Sequence, residues 1–125
     1  MSTGQSLLVL FTHGSRDPRW LEPFEELESS LKAKLGQDRV RLAHLEITAP
    51  SLMDVATEAM ENGVRSIRLL PLFMAGGGHV AFDIPKLAEE ARVRFPELEI
   101  EILPAIGEHP RVVDLIYEIA LTEAQ

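Results

Sequence analysis

Short unbroken apolar runs alternate along this chain with longer stretches in which apolar residues recur every three or four positions. Leu7 to Thr12 (LLVLFT) is one such run, the pattern of a strand covered on both faces. Asp17-Pro18 then opens a helix, because Asp is a favoured N-cap and Pro fits the first turn. Leu21, Phe24, Leu27, Leu31 and Leu35 share a helical spacing, and Gly36 follows as a stop. The same reading predicts a strand over Arg39 to Ile47 and a helix starting at Pro50-Ser51 that carries Leu52, Val55, Ala56 and Met60. Asn62-Gly63 ends that helix. A third strand is predicted over Ser66 to Phe73, and a third helix from Ile84 to about Phe95, with Asp83 as N-cap and Pro85 in its first turn. Leu98 to Leu103 reads as a short fourth strand, and Pro110 to Leu121 as a last helix.

Strand–helix alternation with short connections predicts a four-stranded parallel α/β sheet with helices on both faces. Residues 1–125 are expected to form one domain, since no linker or repeat interrupts the pattern. The expected strand order is 2-1-3-4, with a switch point between strands 1 and 3. Ligands of such sheets bind outside the carboxyl ends of the strands near that point. Strand 1 runs into His13-Gly14-Ser15-Arg16, strand 2 ends around His44, Glu46 and Thr48, and strand 3 runs into Met74-Ala75-Gly76-Gly77-Gly78-His79. With His109 after strand 4, all four histidines fall near one edge of the predicted sheet.

His13 and His79 would follow neighbouring strands, and two imidazoles with a carboxylate such as Glu46 suit divalent Co, Ni, Fe or Zn. Imidazole also accepts a proton near neutral pH. His44 shares a strand face with Val40 and Leu42 and is read as a buried, hydrogen-bonded core residue. His109, before Pro110, reads as the start of the last helix. Arg16 can pair with a ligand carboxylate, or with Asp17 or a neighbouring acid. The triple glycine at 76–78 admits three readings: a phosphate cradle, a flexible loop, or a bare surface for a large flat ligand. Neither G-x-G-x-x-G nor G-x-x-x-x-G-K-[ST] is present, and periodicity does not choose among the three.

Composition narrows the field. The chain of 125 residues is 46% hydrophobic and 26% charged, as in an ordinary globular protein, and it has no cysteine. Disulfides, thiolate metal sites and cysteine nucleophiles are thereby excluded. The net charge of −8 argues against nucleic acid as a partner and gives no long-range attraction for an anionic ligand. No apolar run approaches a membrane span, and Leu7 to Phe11 is short for a signal core, so the cytoplasm is the expected location.

The motifs THGSRDP at 12–18, LEITAPSL at 45–52, LLPLFMAGGGHVAFDIP at 69–85 and LPAIGEHP at 103–110 resemble the short, CbiX-type sirohydrochlorin chelatases of the class II chelatase family. Together these motifs run through nearly the whole chain. The resemblance implies half of a two-lobed chelatase fold, pairing as a homodimer. It also implies insertion of a divalent metal, cobalt first and otherwise iron or nickel, into sirohydrochlorin on a cobalamin- or siroheme-type route. The metal is then a substrate, and no permanently bound cofactor is expected. By the same resemblance His13 and His79 bind the incoming metal with Glu46, and the segment Met74, Ala75, Gly76, Gly77, Gly78 contacts the macrocycle, with Arg16 among the groups for its carboxylates. His44 and Met74 depart from the family pattern. Two rivals use the same His/His/Glu set: a metal-dependent hydrolase, which H-E-x-x-H does not support here, and a non-enzymatic divalent-metal carrier.

Overall fold

A computed structural model describes residues 6–75, 77 and 80–125. The elements are β1 (Leu7–Thr12), α1 (Pro18–Leu35), β2 (Val40–His44), α2 (Leu52–Glu61), β3 (Ser66–Pro71), α3 (Val80–Arg94), β4 (Glu99–Ile102) and α4 (Pro110–Glu123). A short 3-10 turn, Ile106–Glu108, precedes α4. The strands are parallel, as the alternation predicts, and their order is the expected β2-β1-β3-β4.

Strand alternation divides the core. Val9 and Phe11 of β1, Ala43 of β2, and Ile67 and Leu69 of β3 pack on one face with Leu52, Val55 and Ala56 of α2 and Ile84 and Ala88 of α3. On the other face Leu10, Val40 and Leu42 meet Phe24 and Leu31 of α1. Apolar residues are needed on both sides of β1, which is why its sequence shows no polar alternation. The edge strand β2 is tied to α1 by Glu28, whose carboxylate accepts the Leu42 N–H at 2.6 Å. Lys32 and Arg41 flank that carboxylate at 3.5 and 3.6 Å.

Several boundaries differ from expectation. The second strand stops at His44 instead of Ile47, because Ile47 takes φ +72 and the chain turns there, ahead of a cis Ala49–Pro50 bond. The third strand ends at Pro71 and the fourth spans only Glu99–Ile102. Helix α3 begins at Val80, so Asp83 lies in its first turn and is not the N-cap, and Pro85 stands inside the helix. A proline at the sixth position forfeits the hydrogen bond to the carbonyl four residues back, as anywhere in a helix interior, and Pro23 occupies the corresponding position of α1. Asp17 caps α1 as expected, accepting the Arg19 N–H at 3.0 Å. Ser51 and Asp54 form a capping box on α2.

Helix α4 breaks the expected layering. None of its residues is buried, and it adjoins the rest of the fold chiefly at the preceding 3-10 turn. Val113, Leu115, Ile116, Tyr117, Ile119 and Leu121 are each between 43% and 66% exposed.

Thr12 and His44 are the buried polar side chains among the described residues. They are register partners at the carboxyl ends of β1 and β2, and Thr12 Oγ1 and His44 Nδ1 share a hydrogen bond of 2.5 Å. His44 is thus the hydrogen-bonded core histidine that its strand position suggests. Burial pushes its pKa below the ordinary 6.5, with Glu25 and Glu28 acting in the opposite sense and Arg41 reinforcing the shift. As pH falls below about 6.5, the unfolded chain takes up a proton that folded His44 still refuses, so the folded state loses stability. Urea unfolding of the metal-free protein and of His44→Gln, compared at pH 8 and pH 5, should show the wild type losing more stability on acidification than the variant. Equal losses would mean that His44 titrates alike in both states.

Candidate active site

Beyond Thr12 the chain must turn from β1 into α1 while staying beside the connection that leaves β2. Backbone hydrogen bonds continue past the strand ends, with Leu45 N–H donating to Thr12 O at 2.8 Å and Glu46 N–H to His13 O at 3.2 Å. Gly14 then adopts φ +97, and a Cβ built there would lie 2.0 Å from the Glu46 carbonyl oxygen. Only glycine satisfies both the dihedral and the approach. Thr48 completes the zipper: its Oγ1 accepts the Ser15 N–H at 3.0 Å and donates to Ser15 O at 2.7 Å.

This junction brings His13 and Glu46 together. His13 Nε2 and Glu46 Oε1 stand 3.5 Å apart, and each side chain is about half exposed, at 50% and 53%. Two ligands on one divalent metal, each about 2.1 Å from it, are separated by roughly 3.0–3.4 Å. The pair therefore suits two adjacent positions on such an ion and leaves the others open. The imidazole also meets the Phe73 ring edge-on, at 6.5 Å between centroids and 85° between planes.

Arg16 is exposed in the same loop. Asp17, which was one possible partner for it, instead binds Arg19, with Nη2 to Oδ2 at 2.8 Å. That guanidinium is the main cause holding the Asp17 carboxyl below its usual range, and the Arg19 backbone N–H adds to it. Met74, Ala75 and Gly77 are exposed at the carboxyl end of β3. Gly76, Gly78 and His79 lie outside the described residues. Among the described residues no three of His, Asp and Glu come together in a metal-holding group, so His13 and Glu46 stand as a pair. His109 caps α4, its Nδ1 accepting the Arg111 N–H at 3.1 Å, which fits the helix-start reading.

Two site features escape pattern reading. One is Gly107, whose N–H donates to Phe73 O at 3.0 Å and whose missing Cβ would lie 2.1 Å from Met74 O. It props the start of the glycine segment from the β4 side. The other is a cavity of about 300 Å³ beside His13, walled by Trp20, Leu21, Phe24, Leu72 and Phe73. A charged counterpart of about 270 Å³ adjoins Glu46 and is lined by Asp83, Lys86 and Glu90.

Fold and site define a class: parallel α/β proteins that present a histidine and a carboxylate, suited to a divalent metal, at the carboxyl edge of the sheet. The chain belongs to the CbiX family, whose model matches residues 7–122. It is 28% identical over 109 residues to the chloroplastic sirohydrochlorin ferrochelatase of Arabidopsis thaliana, a match covering 87% of this chain and 48% of that protein. It is 30% identical over 111 residues to the sirohydrochlorin cobaltochelatase of Sulfurisphaera tokodaii, covering 89% and 88%. The chain thus spans about half the length of the plant relative and most of the archaeal one. A crystal structure of a CbiX protein from Marinobacter aquaeolei VT8 superimposes with a TM-score of 0.81 at 29% identity, covering 95% of this chain and 94% of that one.

The glycines make opposite demands. Gly77 has open space where a Cβ would go, whereas Gly14 has none. In thermal unfolding, Gly14→Ala should lower Tm by roughly 5 °C or more, as expected for a loss of one to a few kcal/mol. Gly77→Ala should leave Tm within about one degree. An unchanged Tm for Gly14→Ala would show that the His13 loop does not need this approach.

Proposed function

We propose that the chain acts as one chelatase-like domain that inserts a divalent metal, cobalt or otherwise iron or nickel, into sirohydrochlorin, in the cytoplasm. The observation that carries this reading is the exposed His13–Glu46 pair, 3.5 Å apart, in a chain of the CbiX family. The metal ion is a substrate. His13 Nε2 and a Glu46 oxygen hold it, joined by His79, whose part is taken from the resemblance of GGGHV to the family's motif. The macrocycle lies along residues 74–78, where a Cβ built on Gly77 would meet nothing within 4 Å among the described residues.

Four nitrogen–metal bonds form as two pyrrole N–H bonds break. The two protons leave as H⁺ to His13, His79 or Glu46 and from there to water. Sirohydrochlorin carries eight carboxylates, and a chain of net charge −8 offers no long-range attraction for them. Arg16, which has no ion-pair partner among the described residues, is a local donor for one of them.

The test is direct. Sirohydrochlorin absorbance followed with Co²⁺, Fe²⁺ or Ni²⁺ should change faster with protein than without, and His13→Ala and His79→Ala should each remove most of that acceleration. No acceleration with any of the three metals would overturn the chelatase reading.

The functional unit in this reading is a homodimer, with the apolar side of α4 covered by a second copy. Support comes from α4 itself, which buries none of its residues, and from a relative about twice this chain's length. Light scattering should give the mass of a dimer for the wild type and of a monomer for Ile116→Glu combined with Val113→Glu. A monomeric wild type would remove the second copy from the proposal.

A further inference from the structure

Trp20 is the sole tryptophan of the chain, and its side chain is 70% exposed. It occupies the first turn of α1, one residue before buried Leu21, so it stands off the stripe that faces the core. Its setting is not open surface. It walls the cavity of about 300 Å³ that runs past Phe24 and Phe73 to His13. No Asp, Glu, Lys or Arg lines that cavity. Its polar groups, His13, Thr12 and Ser15, lie at the end nearest the metal pair, and the rest of the wall is Trp20, Leu21, Phe24, Leu72 and Phe73, where a carboxylate arm would lose hydration. Hydrocarbon and a π-face would gain contact area.

Similar exposure recurs at this edge of the sheet. Ile47 in the β2–α2 connection, Met74 after β3 and Phe82 in the first turn of α3 are 58%, 63% and 78% exposed. With Trp20, each of the first three strand-to-helix connections contributes at least one large apolar side chain to the edge that carries His13 and Glu46. Such grouping marks a ligand surface more than chance scatter.

We propose that Trp20 and the cavity beside it form the apolar seat of the macrocycle. The ring enters beside Trp20 and Phe73 with the indole against its face, and its carboxylate arms stay outside the apolar part of the cavity. Trp20 is then a substrate-binding residue that sets which way round the ring presents its nitrogens to His13. The inference rests on the chelatase reading for the identity of the ring, and on the cavity for its place.

The experiment titrates protein into metal-free sirohydrochlorin, follows the pigment's own absorbance, and repeats this with Trp20→Ala and Trp20→Phe. An aromatic stacking contact contributes on the order of 1–3 kcal/mol on truncation, so Trp20→Ala should weaken binding about tenfold or more. Trp20→Phe should recover most of that loss. In turnover assays KM should rise and kcat should fall, because part of the bound ring would present its nitrogens the wrong way round, and Tm should stay close to wild type, since the side chain is mostly exposed. Unchanged affinity for Trp20→Ala, or a change in oligomeric mass in place of affinity, would overturn the proposal and leave the chelatase reading standing. Wild-type protein that binds the pigment through Trp20 but does not speed metallation would overturn the chelatase reading and leave the seat.

Discussion

The Glu46 carbonyl rests against Gly14 at a distance that no side chain would allow, and the geometry of the candidate site follows from that contact. Parallel pairing of β1 and β2 brings their carboxyl ends level, but it does not fix the loops beyond them. The two connections are held in register by the Leu45 and Glu46 amides, by Thr48 and by the absent Cβ of Gly14. His13 immediately precedes that glycine, and Glu46 supplies the carbonyl it approaches. The spacing of the imidazole and carboxylate is therefore set by backbone packing more than by their mutual attraction, which between half-exposed groups is weak.

Beneath this junction lies a second constraint. Thr12 and His44 fill the last buried position of the β1–β2 pair with polar groups that satisfy each other. An apolar pair would also fill the space, but it would not link the two strands by a directional bond just below the site. Gly107 does the equivalent on the far side, holding the Phe73–Met74 backbone through its N–H and its lack of a side chain. The His13–Glu46 pair and the Phe73–Met74 backbone are thus each braced from a neighbouring connection.

Much of this was legible from residue pattern alone. The Leu7–Thr12 run, the Asp17-Pro18 helix start and the 2-1-3-4 order all agree with the structure, because each depends on local chemistry or on burial of both sheet faces. The misreadings involve longer-range effects. Alternation from Val40 to Glu46 suggests a strand that continues past His44, but the chain turns at Ile47 to meet the His13 loop. Pro85 looks like a first-turn proline, yet α3 starts earlier and tolerates it. The apolar positions of α4 suggest a helix packed on the sheet, and periodicity does not say whether the covering surface belongs to the same chain. His13 and Glu46 were recognisable as candidates, but their 3.5 Å separation depends on Gly14. Trp20 is not legible in the pattern, because a residue off the core stripe has the signature of ordinary surface and only the folded chain sets it beside a cavity.

Under the chelatase reading, exposure of the ligand pair is a requirement of the chemistry. A structural metal site closes a full ligand shell around its ion and keeps it. A chelatase must instead release the ion to four ring nitrogens, so its own hold has to be partial and open on the side the ring approaches. Two described side chains with half their surface in solvent, and one further imidazole assigned by motif, meet that condition. Ring orientation then needs local groups, because a chain of net charge −8 gives no long-range attraction for the ring's carboxylates. In the proposed seat, the aromatic wall at Trp20 would supply that orientation by contact with the ring face, without adding charge. Binding of the metal and positioning of the macrocycle are in this way assigned to separate groups, His13 with Glu46 for one and the Trp20 side of the cavity for the other, meeting at the imidazole that Phe73 holds edge-on.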